Sequence, residues 1–429
     1  MLTGPRRRLA ILLAIALQLG ACTGGDGSPS PSAAESPTAI PSAATPSAAT
    51  PVPDPLEVYR AIAAEVVAIR GLDAPSRIDP RIIDAAQLRA NIEAEFEASN
   101  PAAEILLGER LLKGLGLLPA DASLRDMYID LQGSQVIGYY DPAVDELFLV
   151  SRSGGLGPIE RVTYAHEFTH ELQDRQFDLE SLGLDEALDQ GDRALAVLAL
   201  VEGDAVSVQT TWMTANLSVA ELAELAAGAA DPEMLAVLAR TPPILLETSL
   251  FPYTAGSAFV TALLAAGGYA AVDVAFANLP VSTEQVIHPE KYLAGEEPVD
   301  VSFPADLAAR LGAGWTLDAQ DTLGELQLRV WLRQGGVAGD VARLAAEGWG
   351  GDRVALLGGP GVNDDVVVIV IEWDTIADAA AFRVAATDAA TGLSLNPVVA
   401  TSGRRVVIAL MPDAGAIDVR PILEALAAG

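Results

Sequence analysis

The chain has 429 residues, 51% of them hydrophobic, and a formal net charge of −32. It is long enough to bury one large core or two ordinary ones. A surface this acidic repels nucleic acid and anionic lipid headgroups. We therefore expect no nucleic-acid partner. The single cysteine, Cys22, excludes an intramolecular disulfide and any zinc site built from cysteines.

The N-terminal residues are typical of a secretion signal. Residues 6–8 are all arginine, and Leu9–Leu17 is an apolar stretch too short to span a bilayer comfortably. Leu19–Ala21 precedes Cys22, and this phrase resembles the bacterial lipobox, whose cysteine is lipidated. We therefore expect residues 1–21 to be a lipoprotein signal peptide, with Cys22 anchoring the protein outside the cytoplasm. The alternative is an ordinary signal peptide with an incidental cysteine.

The next segment, residues 22–54, is rich in Ser, Pro, Ala and Thr and has almost no large apolar side chains. Such a composition cannot offset the entropy lost on ordering. We interpret it as a flexible tether between the lipid and a folded body that begins near Pro55. Apolar residues at helical spacing then predict a helix from Leu56 to Ile69, with Gly71 as its stop. Further helices are predicted over 84–97 and 102–115.

Two β-rich runs, Ser134–Tyr140 and Glu146–Ser151, predict a hairpin. Gly157 and Pro158 then predict the start of a helix that continues to about Arg175, because proline is favoured at the first helical position. Later helices are predicted over 192–213, near 252–266 with Pro252 at its start, and near 270–277. Ser282–Gln285 is typical of a capping box that opens a short helix ending by Pro289.

The pattern changes after about Gly295. Helices alternate there with apolar strands, which predicts a small α+β unit without a catalytic signature. The predicted helices cover 322–333, 339–347, 375–389 and 419–427, and the predicted strands cover 354–357, 365–373 and 405–411.

The stretch that carries chemistry is His166-Glu167-Phe168-Thr169-His170. Residues four apart share one face of a helix, so His166 and His170 can direct their imidazoles at one ion. Zinc accepts neutral histidine nitrogens, and the glutamate between them can reach a water on that ion. With three histidines in the whole chain, this pattern rarely arises by chance. The alternative is a pair of structural histidines on a helix surface.

A zinc site needs a third protein ligand. Gln173 and Gln176 stand where a metzincin has its glycine and third histidine, so that class is excluded. A carboxylate from the following helix remains, and Glu202 is favoured because a glutamate in an apolar helix is costly unless it is paired. Asp204, two positions on, is the alternative.

This arrangement resembles the gluzincins, in which a glutamate on a second helix completes the zinc site. The separation between His170 and Glu202 is longer than in the best-known members, and the loop 177–189 can absorb the excess. The chain also resembles a group of uncharacterised bacterial zincin-like proteins in three phrases: His166–Leu179, Phe251–Gly256 and Ser282–Tyr292. The resemblance implies an α+β, zincin-like fold, mostly helical, with a small sheet beside the histidine-bearing helix. We therefore interpret 55–295 as a catalytic domain and 296–429 as a C-terminal α+β unit.

The resemblance also implies a reaction. One Zn²⁺ held by His166, His170 and Glu202 would activate water for hydrolysis of a peptide bond, with Glu167 as general base. Tyr253 and His288 are the two candidates for stabilising the oxyanion, and each has a purely structural alternative. The strand Val136–Tyr140 would, by analogy, pair with an extended peptide or protein substrate.

Two other functions stay open from the sequence. One is a zinc-binding but non-catalytic envelope lipoprotein, and the other is an extracytoplasmic solute-binding lipoprotein. The sequence does not give the substrate, the cleavage specificity or the oligomeric state.

Overall fold

The computed structural model describes residues 11–14, 54–75, 79–150, 156–184, 189–228, 231–361, 364–411 and 417–429. Over these residues the fold is α+β, as predicted, with many helices and two small sheets. Cys22, residues 22–53 of the expected tether and all of the expected signal peptide except Ile11–Ala14 lie outside the described residues.

The folded body begins where the sequence predicts. The first helix, α1 (Pro55–Arg70), starts at Pro55, and the Asp54 side chain caps it by accepting a hydrogen bond from the Leu56 amide at 3.1 Å. Gly71 ends it with φ +79°, the left-handed conformation that glycine adopts without strain. Three helices follow before the hairpin: α2 (Ala85–Ser99), α3 (Ala102–Gly114) and α4 (Leu124–Gln135).

The first sheet has four strands, in the order β1 (Ile11–Ala14), β3 (Val136–Asp141), β4 (Glu146–Val150) and β2 (Arg81–Ile83). The predicted hairpin is confirmed, since β3 and β4 pair antiparallel with Gly138 opposite Leu149. β2 runs parallel to β4. The apolar N-terminal segment forms β1 and pairs antiparallel along β3, with Ile11 opposite Tyr140.

The helix with the two histidines, α5 (Pro158–Phe177), lies against this sheet and α1. It starts at Pro158 as predicted, and the Gly157 amide donates to Glu160 at 2.9 Å. Tyr164, Phe168 and Leu172 recur every fourth residue and are fully buried, so one face of α5 is fixed in a core.

Two long helices, α6 (Gly191–Asn216) and α9 (Pro243–Gly267), pack against each other backbone to backbone. A Cβ atom added at Gly203 would lie 2.3 Å from the Gly256 carbonyl oxygen, so only glycine permits this crossing. By length and composition alone both helices could cross a membrane, but here they pack within the core. The prediction that Pro252 starts a helix is wrong, because α9 begins at Pro243. The loss of one backbone hydrogen bond at Pro252 is tolerated inside a helix held by its neighbour.

Shorter elements connect these helices. A 3₁₀ turn (Leu179–Leu182) precedes α6, and the others are α7 (Val219–Gly228), α8 (Pro232–Arg240), α10 (Tyr269–Ala277), α11 (Thr283–Ile287) and α12 (Pro289–Ala294). Half of the predicted capping box at the start of α11 is present, since the Ser282 hydroxyl accepts from the Gln285 amide at 3.2 Å. The Gln285 side chain accepts from the Val281 amide at 2.8 Å rather than from the Ser282 amide.

The C-terminal part contains an antiparallel five-stranded sheet in the order β5 (Thr316–Asp321), β6 (Trp349–Gly358), β7 (Val366–Trp373), β9 (Arg405–Met411) and β8 (Asn396–Ser402). Its helices are α13 (Leu307–Leu311), α14 (Gly324–Gln334), α15 (Gly339–Ala346), α16 (Ile376–Gly392) and α17 (Arg420–Ala428). The sequence did not predict β5 and β8. Both are edge strands, whose half-exposed side chains lack the continuous apolar run of β7.

The largest cluster of buried apolar side chains crosses the expected boundary at 295/296. It includes Leu200 and Phe259 on one side and Trp331, Ile369 and Phe382 on the other. The helix α6 therefore shares one apolar cluster with the C-terminal sheet and its helices, whereas α5 packs in a second cluster with α1 and the first sheet.

Candidate metal centre

Three donor atoms converge between α5 and α6. The Nε2 atoms of His166 and His170, on consecutive turns of α5, are 3.0 Å apart. Glu202 Oε2, on α6, lies 3.1 Å from His166 Nε2 and 3.4 Å from His170 Nε2. Adjacent donors in a tetrahedral zinc site with bonds of about 2.0–2.1 Å are about 3.3–3.4 Å apart. The three residues therefore fit one zinc ion in both spacing and chemical type.

The ionisation of these groups suits a cation. All three side chains are at most 1% exposed. Burial alone would raise the pKa of Glu202, but the two imidazoles lower it to about 2, so the carboxylate is ionised. Burial lowers the pKa of His166, whereas the Glu202 carboxylate outweighs burial at His170 and raises its pKa to about 9. At neutral pH a metal ion would displace the proton on His170.

Glu167 is a buried acid with no side-chain hydrogen-bond partner among the described residues. It is 0% exposed, and neither carboxylate oxygen forms a well-aligned hydrogen bond with any residue the structure describes. Burial raises the pKa of Glu167 to about 8, although the charge of His170 and a backbone hydrogen bond from Tyr140 act in the opposite direction. A buried polar group left unsatisfied in this way needs an explanation, and a ligand at the neighbouring donor atoms supplies one.

The Nδ1 atom of each imidazole contacts the side-chain amide oxygen of a glutamine. His166 Nδ1 lies 2.7 Å from Gln209 Oε1, and His170 Nδ1 lies 2.8 Å from Gln173 Oε1. These contacts turn both Nε2 atoms toward Glu202. Sequence reasoning assigned neither glutamine a supporting role, although Gln173 follows His170 at i+3 on the same helix face.

Asp204, the alternative to Glu202, is directed elsewhere. Its Oδ2 accepts hydrogen bonds from Gln173 Nε2 and from Arg70 Nε, both at 2.9 Å. Arg70 and Asp204 are both fully buried and form an ion pair. Asp204 therefore contacts Gln173 and Arg70 rather than the histidines. Glu202 is the carboxylate that lies beside the two imidazoles.

The two oxyanion candidates lie in different surroundings. The Tyr253 ring, on α9, is centred 6.3 Å from the His166 ring and packs with Ile137 and Val206. His288 instead pairs with the buried Glu325 on α14, with Nε2 3.0 Å from a carboxylate oxygen. The hydrogen bond between His288 Nε2 and Glu325 Oε1, at 3.3 Å, raises the pKa of His288. The structure thus places the Tyr253 ring, but not His288, beside the candidate metal ligands.

A second group of acids has the spacing of a metal site but surrounds the ammonium group of Lys291. Glu284, Glu296 and Asp374 lie close enough together to share one ion. Lys291 Nζ sits among them at 2.7, 2.8 and 2.9 Å. The Ser282–Tyr292 phrase therefore joins α11 and α12 to the end of β7.

The comparisons with known proteins match only the C-terminal part of the chain. Residues 310–421 match the model of a family described as a domain of unknown function (DUF8575). No curated protein and no solved structure matches the chain. The matched stretch covers the C-terminal sheet, and His166, Glu167, His170 and Glu202 all lie outside it.

Proposed function

We propose that the protein is a zinc-dependent metallopeptidase of the gluzincin type. His166, His170 and Glu202 would hold one Zn²⁺, and Glu167 would be the general base. The observation that carries this proposal is the convergence of two imidazole nitrogens and one carboxylate oxygen within 3.0–3.4 Å. The adjacent residue Glu167 is buried and has no side-chain hydrogen-bond partner among the described residues. That combination matches a catalytic zinc site and has no evident use in packing.

Each residue of the proposed site would have a separate role in hydrolysis. When bound, zinc would supply Lewis-acid activation of water and of the scissile carbonyl. Glu167 would accept the proton of the attacking water and return it to the leaving amine. Tyr253, whose ring lies beside His166, would donate a hydrogen bond from its hydroxyl to the developing oxyanion. His288 is committed to Glu325, so we assign this role to Tyr253.

Main-chain pairing along β3 of the first sheet favours an extended peptide as the substrate. β3 lies against α5, and an extended segment of this chain, β1, already pairs antiparallel along it. Main-chain pairing of this kind recognises peptides largely independently of their side chains. If residues 1–21 are removed before a lipidated Cys22, β1 leaves with them and its place along β3 becomes open to a substrate. We accordingly place the activity outside the cytoplasm, at the membrane.

The test is Glu167→Gln in the purified protein, with zinc content and cleavage of a peptide library measured together. We expect wild type to hold one zinc and cleave, and the variant to keep the zinc while losing about 10²–10⁴-fold in rate. Glu171→Gln is the matched control, because Glu171 lies one turn further along α5 and faces Arg175 at 3.6 Å. The control should cleave as wild type does.

The other outcomes identify the alternatives. Bound zinc without Glu167-dependent cleavage would indicate a non-catalytic zinc-binding lipoprotein. A wild-type protein that binds no zinc would favour a solute-binding lipoprotein and would overturn the proposed centre.

A further inference from the structure

The Gln173 side chain sits in a network that leaves it one orientation. Its Nε2 donates to the Val201 carbonyl oxygen and to Asp204 Oδ2, both at 2.9 Å. A primary amide has two N–H donors, so both are used. Only Oε1 remains to face His170, and Oε1 is an acceptor. His170 Nδ1, at 2.8 Å, must therefore carry a proton, which leaves Nε2 to face Glu202.

The network continues through the buried Arg70 to Asp273. Asp204 accepts from Arg70 Nε at 2.9 Å, and Arg70 Nη2 donates to Asp273 at 2.7 Å. The Arg70 guanidinium also lies over the Tyr269 ring, 4.8 Å from its centre. The chain of contacts thus runs from α10 through α1 and α6 to α5.

We propose that Gln173 is a positioning residue that holds His170 as its Nδ1–H tautomer, and that Asp204 and Arg70 fix Gln173 for this role, an inference that rests on the proposed zinc site. A neutral amide orients the imidazole without placing another carboxylate against it. Mutation of such a hydrogen-bond partner of a metal ligand commonly lowers metal affinity by about 10–100-fold.

The first measurement is zinc affinity, by competition with a chelator, in Gln173→Met. Methionine has a similar length but neither donor nor acceptor, so we expect affinity to fall by about 10–100-fold. Gln135→Met is the matched control, since Gln135 is also buried and its Nε2 has no partner among the described residues. That control should bind zinc as tightly as wild type. Equal affinity in Gln173→Met and wild type would overturn the inference.

A second readout does not depend on activity. The chain has three histidines, so isotope-labelled histidine gives three ring systems to resolve by NMR. In the zinc-loaded wild type, His170 should show a slowly exchanging Nδ1 proton. In Gln173→Met that proton should exchange rapidly. A slowly exchanging proton in both proteins would show that Gln173 does not hold it.

Gln173→Glu separates positioning from packing, because it keeps the length of the side chain but loses both N–H donors that fix it on Val201 and Asp204. This variant should also bind zinc more weakly. Wild-type zinc affinity in Gln173→Glu would contradict the proposal, whereas a wild type without zinc would instead overturn the proposed function.

Discussion

The crossing of α6 and α9 makes Gly256→Ala a sharp perturbation of the site. A Cβ atom at Gly256 would lie 2.2 Å from the Ala199 carbonyl oxygen, and ordinary contact begins near 3.4 Å. The obstacle is helix backbone, which cannot rotate away as a side chain can. The two helices must therefore separate locally by about 1 Å, and such overpacking costs about 1–3 kcal/mol. Alanine's better helix propensity offsets less than about 1 kcal/mol of this.

The same separation of α6 and α9 would displace residues of the proposed zinc site. Ala199 lies three residues before Glu202 on α6, and Tyr253 lies three residues before Gly256 on α9. A misplacement of about 1 Å at a catalytic group can lower the rate by about 100-fold. We expect Gly256→Ala to lower the melting temperature, weaken zinc binding and reduce kcat/KM together.

These effects are measured by thermal unfolding, chelator competition and peptide cleavage. Gly339→Ala is the control, because that exposed helical glycine has no described atom within 4 Å of an added Cβ. The control should be neutral or slightly stabilised. A Gly256→Ala protein with wild-type melting temperature and zinc affinity would refute the close crossing.

Three further changes test separate parts of the structure. Tyr253→Phe should lower kcat by about 10–1000-fold with little change in zinc content, whereas His288→Gln should leave kcat largely intact, as steady-state kinetics can show. Lys291→Met leaves three carboxylates without their cation and should destabilise folding by about 1–3 kcal/mol in urea titrations. Burial raises the pKa of Asp192 from 3.8 to about 8, so the folded state holds a proton that the unfolded state has lost. Stability should therefore fall as pH rises from about 4 to about 8, and Asp192→Asn should flatten this slope in melting curves.

Local signals in the sequence predicted the framework of the site. The limits of α1 follow from an aspartate cap, a proline at the first position and a glycine stop, all within the helix and its flanks. The four-residue spacing of His166 and His170 on α5 fixes a shared face without knowledge of the fold. Glu202 was predicted as the third ligand because an acid in an apolar helix is costly unless it is paired, and the same argument left Asp204 as the alternative.

Features that depend on distant residues were not predictable in the same way. The start of α9 was misplaced because Pro252 is an interior proline that α6 helps to accommodate. Gly203 was visible beside Glu202, but its purpose depends on Gly256, more than fifty residues away. The role of His288 likewise required Glu325, which only the tertiary structure places beside it.

Anomalous X-ray diffraction at the zinc edge, from crystals of the zinc-loaded protein, tests the proposed centre most directly. We predict one peak within about 2.0–2.2 Å of His166 Nε2, His170 Nε2 and a Glu202 oxygen. A zinc-loaded crystal with no peak between these three side chains, or with the ion bound by other residues, would contradict the assignment.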